Sequence, residues 1–297
     1  MVLKRAKLSK EDRIFNALLA VITLVCVLVI LYPLLFVVSA SVSNPMEVFK
    51  GNVWLLPKGF NLEAYKQVFR SKDIFTGYRN TLFYTVLGTF LCICITLSAA
   101  YPLSRKRLYG RGPIMGFFAF TMFFSGGLIP TYLTVKNLGL YNTFWAVILV
   151  GTVSVYNIIV ARTFMQNTIA EELYEAASMD GCGDIRVFFR IVLPLSAPII
   201  AVLVLFYGVN YWNGYFNGLI YLRDRSAYPL QLFLREILLS NMADSMMEAM
   251  ETDLNKFMVS ESIKYAVIIV SSVPMLILYP LLQKFFVKGV MIGAVKG

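Results

Sequence analysis

The sequence predicts an all-α membrane protein with six transmembrane helices. Apolar residues make up 58% of its 297 residues and the mean hydropathy is +0.70, where soluble domains hold about 45–50% apolar residues. Runs without a charged side chain recur along the chain, long enough to cross roughly 30 Å of hydrocarbon. The Lys and Arg behind a formal net charge of +10 flank those runs, which fits anchoring to anionic inner-leaflet lipid and not a nucleic-acid surface. Lipid offers no partner to backbone N–H and C=O groups, so the spanning segments must be helices. The alternating pattern of a membrane barrel is absent.

The elements follow in order. Residues 1–13 carry Lys4, Arg5, Lys7, Lys10 and Arg13 and read as a cytoplasmic N-terminal segment. The first span occupies the charge-free run from Ile14 to Met46, longer than the core of a signal peptide. An outer loop of about 41–78 follows, punctuated by Pro45, Gly51, Pro57 and Gly59. Asn80 to Ser104 is span two. Arg105, Lys106, Arg107 and Arg111 then crowd one short loop. Pro113 to Val135 is span three, with a flexible Ser125-Gly126-Gly127 and a bend expected at Pro130. Span four covers Asn142 to Ala161. A loop of about 164–193 separates it from span five, Ile191 to Leu222. A second outer loop, about 223–261, is rich in Met and mixed charge and reads either as a disordered tether or, the favoured reading, as a short helix that meets a partner. Span six is Tyr265 to Gln283, holding Pro274 and Pro280. The six-helix domain thus covers 14–287, with a tail at 288–297. Basic residues dense in the N-terminal segment and in 105–111 put both termini and the 164–193 loop in the cytoplasm. The 41–78 loop carries Lys and Arg too, but spread over a longer stretch.

The 164–193 loop has structure of its own. Thr168 stands three residues before Glu171, the spacing of a capping box, so a helix of about three turns is expected to start there. Gly181 is placed to end it in the left-handed conformation. Ile169, Leu173, Ala176 and Ala177 fall on one face. Asp184 is expected to cap a second helix, and Pro194 and Pro198 to kink the start of span five.

The chain lacks the groups most chemistry needs. It has no histidine and no Gly-Lys dipeptide, which removes the commonest general base and any P-loop. Cys26, Cys92, Cys94 and Cys182 read as unpaired thiols, without the spacing of a zinc pair. No ionisable side chain lies deep in a span, which argues against an ion-coupled carrier and against an intramembrane catalytic site. No catalytic residue, metal site or cofactor is expected. Span five carries a polar stripe near its outer end: Asn210, Tyr211, Trp212, Asn213, Tyr215 and Asn217. It reads either as an interfacial aromatic belt or as a transport path, in which rings stack on sugar faces and amides meet hydroxyls.

Glu175-Ala176-Ala177, three residues, Gly181, nine residues, Ile191, one residue and Leu193-Pro194 together resemble the EAA signature of bacterial ABC importer membrane subunits. Ser125-Gly126-Gly127-Leu128-Ile129-Pro130, Asn137-Leu138-Gly139-Leu140, Trp212-Asn213 and the tail from Lys288 to Gly297 are similar to the carbohydrate-uptake branch of type I importers, within it to complex-oligosaccharide permeases. The resemblance implies a type I ABC importer permease fold with a cytoplasmic coupling helix. It implies a second homologous permease, two cytoplasmic ATPase subunits that hold ATP and Mg, an extracellular solute-binding protein and an oligosaccharide cargo in a bacterial cell membrane. It places Glu175, Ala176, Ala177, Asp180, Gly181, Leu193 and Pro194 at the ATPase contact. The expected protein is a non-catalytic subunit forming half of a translocation path. The alternatives are an ion-coupled carrier and a permease for peptides or amino acids.

Overall fold

The computed structural model describes the backbone of residues 9–248 and 254–294, and the side chains of 9–239, 262–281 and 283. All regular elements among them are helical. Lys4, Arg5, Lys7, Met250 and residues 295–297 of the tail lie outside the described residues. The chain divides into two compact units, residues 1–70 with 237–270 and residues 71–236 with 271–297.

In the first unit, α1 (Lys10–Ser41) is the most apolar helix. The mean hydropathy of its best 18-residue window is 3.0, and none of that window is buried. Only its end packs, with Ser39, Ala40 and Ser41 buried. Here the expected loop of 41–78 proves ordered. It contains α2 (Pro45–Phe49) and α3 (Glu63–Arg70). Polar groups tie it to the end of α1: Ser39 Oγ donates to the Leu55 carbonyl at 2.6 Å and the Tyr65 hydroxyl to Ser41 Oγ at 2.9 Å.

In the second unit, α4 (Lys72–Ser104) is the spine. It starts eight residues before the predicted span because charges at Lys72, Asp73 and Arg79 exclude lipid, not helix. Asp73 in the first turn complements the helix dipole. Span three is broken. α5 (Arg111–Phe123) and α6 (Leu128–Asn137) meet at 109°. The bend lies at 124–127, not at Pro130. Gly127 takes φ +82°, open to residues without a Cβ, while Pro130 sits in the first turn of α6, where a missing N–H removes no hydrogen bond. Span four becomes α7 (Phe144–Leu149) and α8 (Val155–Thr168).

α9 (Glu171–Met179) and α10 (Asp184–Leu195) follow, the latter containing a π turn over Phe188–Val192. α11 (Ala197–Trp212) leaves α10 at 78°. The bend falls at Ser196, between the two prolines. Pro198 has no N–H to offer the carbonyl four residues back, and the Ser196 N–H closes the preceding turn on Val192 and Leu193. α12 (Phe216–Tyr221) precedes a short 3₁₀ turn, Arg225–Ala227. The loop expected at 223–261 is largely α13 (Leu230–Glu248), because Leu230, Leu232, Phe233 and Leu234 are buried. α14 (Leu254–Ala294) passes through Pro274 and Pro280 without a break.

By length and composition, three described helices can cross a membrane, and the two bent pairs raise this to five. The core is built where α4 packs against α8 and α11, around Ala100, Ala161, Val192 and Leu203, all fully buried.

Candidate functional site

The signature residues gather at the C-terminal end of α4. The capping box does not form. Thr168 is the last residue of α8, and Ala170 takes the N-cap of α9 without a side-chain bond. Asp184 is the first residue of α10, with Gly183 as its cap. Gly181 does end α9: its φ is +72°, and the Cys182 N–H reaches back to the Ala177 carbonyl at 2.9 Å.

The face α9 buries differs from the expected one. Ile169, Tyr174 and Ala177 are buried, whereas Leu173 and Ala176 are exposed. The reason lies 70 residues earlier. The Arg105 guanidinium stands 3.3 Å from the centroid of the Tyr174 ring and 3.4 Å from the Glu171 carboxylate. The Tyr101 ring lies 6.4 Å from Tyr174 and 5.1 Å from Phe188, and its hydroxyl donates to the Asp184 carbonyl at 3.3 Å. These groups hold α9 by its Tyr174 side. Burial pushes the Tyr174 hydroxyl above the ordinary phenol range; Arg105 pulls it partly back, and the Glu171 carboxylate adds to the rise. The ring therefore remains a neutral platform for the guanidinium.

What stays outside is the signature itself. Glu175, Ala176, Asp180, Gly181 and Pro194 are exposed, and Leu193 is half-buried against the core. Met179 and Ile185 beside them are 89% and 77% exposed. Ala177, by contrast, is a packing residue. Arg105, Tyr101 and Tyr174 were not singled out from the sequence as a group; the Arg at the end of span two was read only as an orientation signal.

The polar stripe occupies the other end of α11. Asn210, Tyr211, Asn213, Tyr215 and Asn217 line a cavity of about 430 Å³. Trp212 does not. It is buried, its Nε1 donates to the Ser271 carbonyl at 2.9 Å, and its ring packs 5.9 Å from Tyr78. Tyr211 and Asn217 are partly committed to the fold, donating to the carbonyls of Ile148 and Val150 at 2.7 and 3.1 Å. Asn210, Asn213 and Tyr215 are exposed. The arrangement offers free amides and an aromatic face, with no acid–base pair.

Between the two sites runs a chain of packed contacts. Thr96 of α4 shares a 2.7 Å hydrogen bond with Tyr207 of α11, and Cys92 Sγ lies 3.4 Å from the Tyr211 hydroxyl.

Comparison with known proteins places these features. The family described as "binding-protein-dependent transport system inner membrane component" matches residues 9–292. A polygalacturonan/rhamnogalacturonan transport system permease protein of Bacillus subtilis (strain 168) is 39% identical over 97% of this chain and 100% of its own length. Protein LplC of the same organism is 41% identical over 89% of each chain. A chain in the crystal structure of a bacterial ABC transporter involved in import of the acidic polysaccharide alginate superposes with a TM-score of 0.83. It is 33% identical, over 95% of this chain and 99% of that one.

Proposed function

The chain belongs to the family of binding-protein-dependent transport system inner membrane components, and from that premise we propose that it forms half of the path by which an ATP-driven importer takes up an oligosaccharide. A second permease of the same fold supplies the other half. Two cytoplasmic ATPase subunits bind and hydrolyse ATP with Mg; this chain hydrolyses nothing. An extracellular solute-binding protein delivers the sugar. Both termini and α9 lie in the cytoplasm. The sugar polymers named for the relatives support the cargo class.

One observation carries the reading. The signature is divided into a side that grips the chain, through Tyr174 and Ala177, and a side left open, with Glu175, Ala176, Asp180, Gly181 and Met179. The open side is the ATPase contact. When the ATPases close on ATP they move α9, and the Arg105 and Tyr101 contacts pass that motion to α4. Thr96 and Cys92 carry it on to α11, whose far end lines the cavity, and access alternates between the two sides of the membrane.

The test uses the assembled importer. Glu175→Lys or Gly181→Asp should abolish both uptake and sugar-stimulated ATP hydrolysis while the complex still inserts and assembles. Normal uptake in these variants refutes the coupling role.

A further inference from the structure

One side chain stands between the cavity at the end of α11 and the packed interior behind it. We propose that this side chain, Tyr211, is a gate: its ring closes the cavity off from the α4–α11 interface, and a notch at Gly88 of α4 is its closed seat. The inference deepens the importer reading above and rests on it.

Tyr211 lines the cavity, whereas Gly88 and Cys92, which touch the same ring, do not. A Cβ on Gly88 would stand 2.6 Å from Cζ of Tyr211 and 2.7 and 2.8 Å from the ring carbons beside it. Only a residue without a Cβ leaves the ring this place against α4. The hydroxyl is held as well. It donates to the Ile148 carbonyl at 2.7 Å and lies 3.4 Å from Cys92 Sγ. That carbonyl is open to it because α7 ends at Leu149, and the last carbonyls of a helix have no partner within it.

A second observation shows what the ring shuts off. Thr85, Thr89, Cys92 and Thr96 share one face of α4. The hydroxyls of Thr85 and Thr89 are buried and have no hydrogen-bond partner among the described residues. Thr89 faces Gly208, one turn before Tyr211 on α11. Cys92 is fully buried, and Thr96 shares its hydrogen bond with Tyr207. Apolar packing has no use for such a row, and an unpaired buried hydroxyl is costly. Water admitted past a lifted ring removes that cost. Closed, the row is a dry polar stripe; open, it continues the cavity along α4 and α11. A ring that serves packing alone would sit in the same notch, and the experiment separates the two roles.

Cys92 supplies the reporter. The complete importer, with its solute-binding protein, is placed in vesicles and carries Cys94→Ser so that one thiol remains on that stretch of α4. A methanethiosulfonate bearing a trimethylammonium group reaches a thiol only through water. The Cys92 thiolate attacks its sulfur, forms a mixed disulfide and releases methanesulfinate, and mass spectrometry reads the product. At rest the thiol should be protected. Gly88→Ala, which pushes the ring off its seat, and Tyr211→Ala, which removes it, should label about tenfold faster or more, because labelling follows the open fraction and closure loses a buried contact. Tyr211→Phe should stay protected: the ring remains, and the Ile148 carbonyl keeps Thr152 Oγ1 as a donor at 2.7 Å. Steady ATP hydrolysis should open the gate in the unaltered ring and raise its labelling. Rapid labelling of the unaltered ring at rest overturns the proposal. So does protection in either alanine variant that assembles, or labelling of Tyr211→Phe as fast as that of Tyr211→Ala. Hydrolysis without a rise in labelling also overturns it. If no ATP is hydrolysed, the importer reading fails, and the resting comparison still decides whether the ring is the seal.

Discussion

The two ends of α4 hold their neighbours by different means. At the N-terminal end, directional hydrogen bonds seat the segment 224–230. Asn80 Nδ2 donates to the carbonyls of Ser226 and Tyr228 at 2.7 and 3.0 Å, the Leu230 N–H to Thr81 Oγ1 at 2.7 Å, and the Tyr84 hydroxyl to the Ala227 carbonyl at 2.7 Å. Arg225 closes the bracket by joining Asp73 to Glu236. At the C-terminal end, α9 is held by ring faces and one guanidinium. Hydrogen bonds weaken steeply once misaligned, so the segment 224–230 has one seat. Ring–ring and cation–ring contacts tolerate a wider range of offsets. The N-terminal end therefore fixes register, and under the coupling proposed above the C-terminal end is the one suited to pass on displacement without coming apart.

The contrast can be broken most severely at the N-terminal end. A Cβ on Gly77 would lie 2.9 Å from the Leu230 Cα and 2.8 Å from the Phe233 ring. Gly77→Val should destabilise the complex by about 3 kcal/mol, the upper range for overpacking, seen as a lower midpoint in thermal unfolding; an unchanged midpoint would unseat the bracket. Asn80→Ala leaves two carbonyls without their donor. It should cost about 2 kcal/mol while the ratio of sugar moved to ATP hydrolysed stays normal. Arg105→Ala should do the reverse. Its stability loss is expected near 1 kcal/mol, but sugar-stimulated hydrolysis should drop several-fold; unimpaired coupling would show that α9 is driven through other contacts. Arg225→Gln is the mildest. Its side chain is 56% exposed, so the loss should be about 0.5 kcal/mol and should disappear in about 1 M salt.

Helices were legible in the sequence wherever charge-free runs left no alternative in lipid. The break at the start of span five was legible too, from Pro194 and Pro198 on either side of Ser196, but the place of the break in span three was not. Pro130 drew attention as the obvious disruptor, yet the bend of span three falls where Gly127 adopts a conformation that only the folded chain reveals. The 223–261 region looked polar because its methionines and charges mask Leu230, Phe233 and Leu234, which turn inward only because α4 is beside them. The signature was legible as spacing. Its division into a gripped and an open side was not, because the grip comes from Tyr101 and Arg105, distant in sequence. The choice of Tyr174 over Leu173 as the buried residue follows from that long-range stacking, which no local periodicity records. Trp212 was grouped with its polar neighbours by proximity alone; one step of helical rotation turns it toward Ser271 instead.

The uncovered flank of α1 has a consequence for how the chain sits in the bilayer. Its most apolar stretch, none of it buried, is solvated by lipid tails in the bilayer, so its seat there follows from hydropathy and its flanking charges and not from packing against other helices.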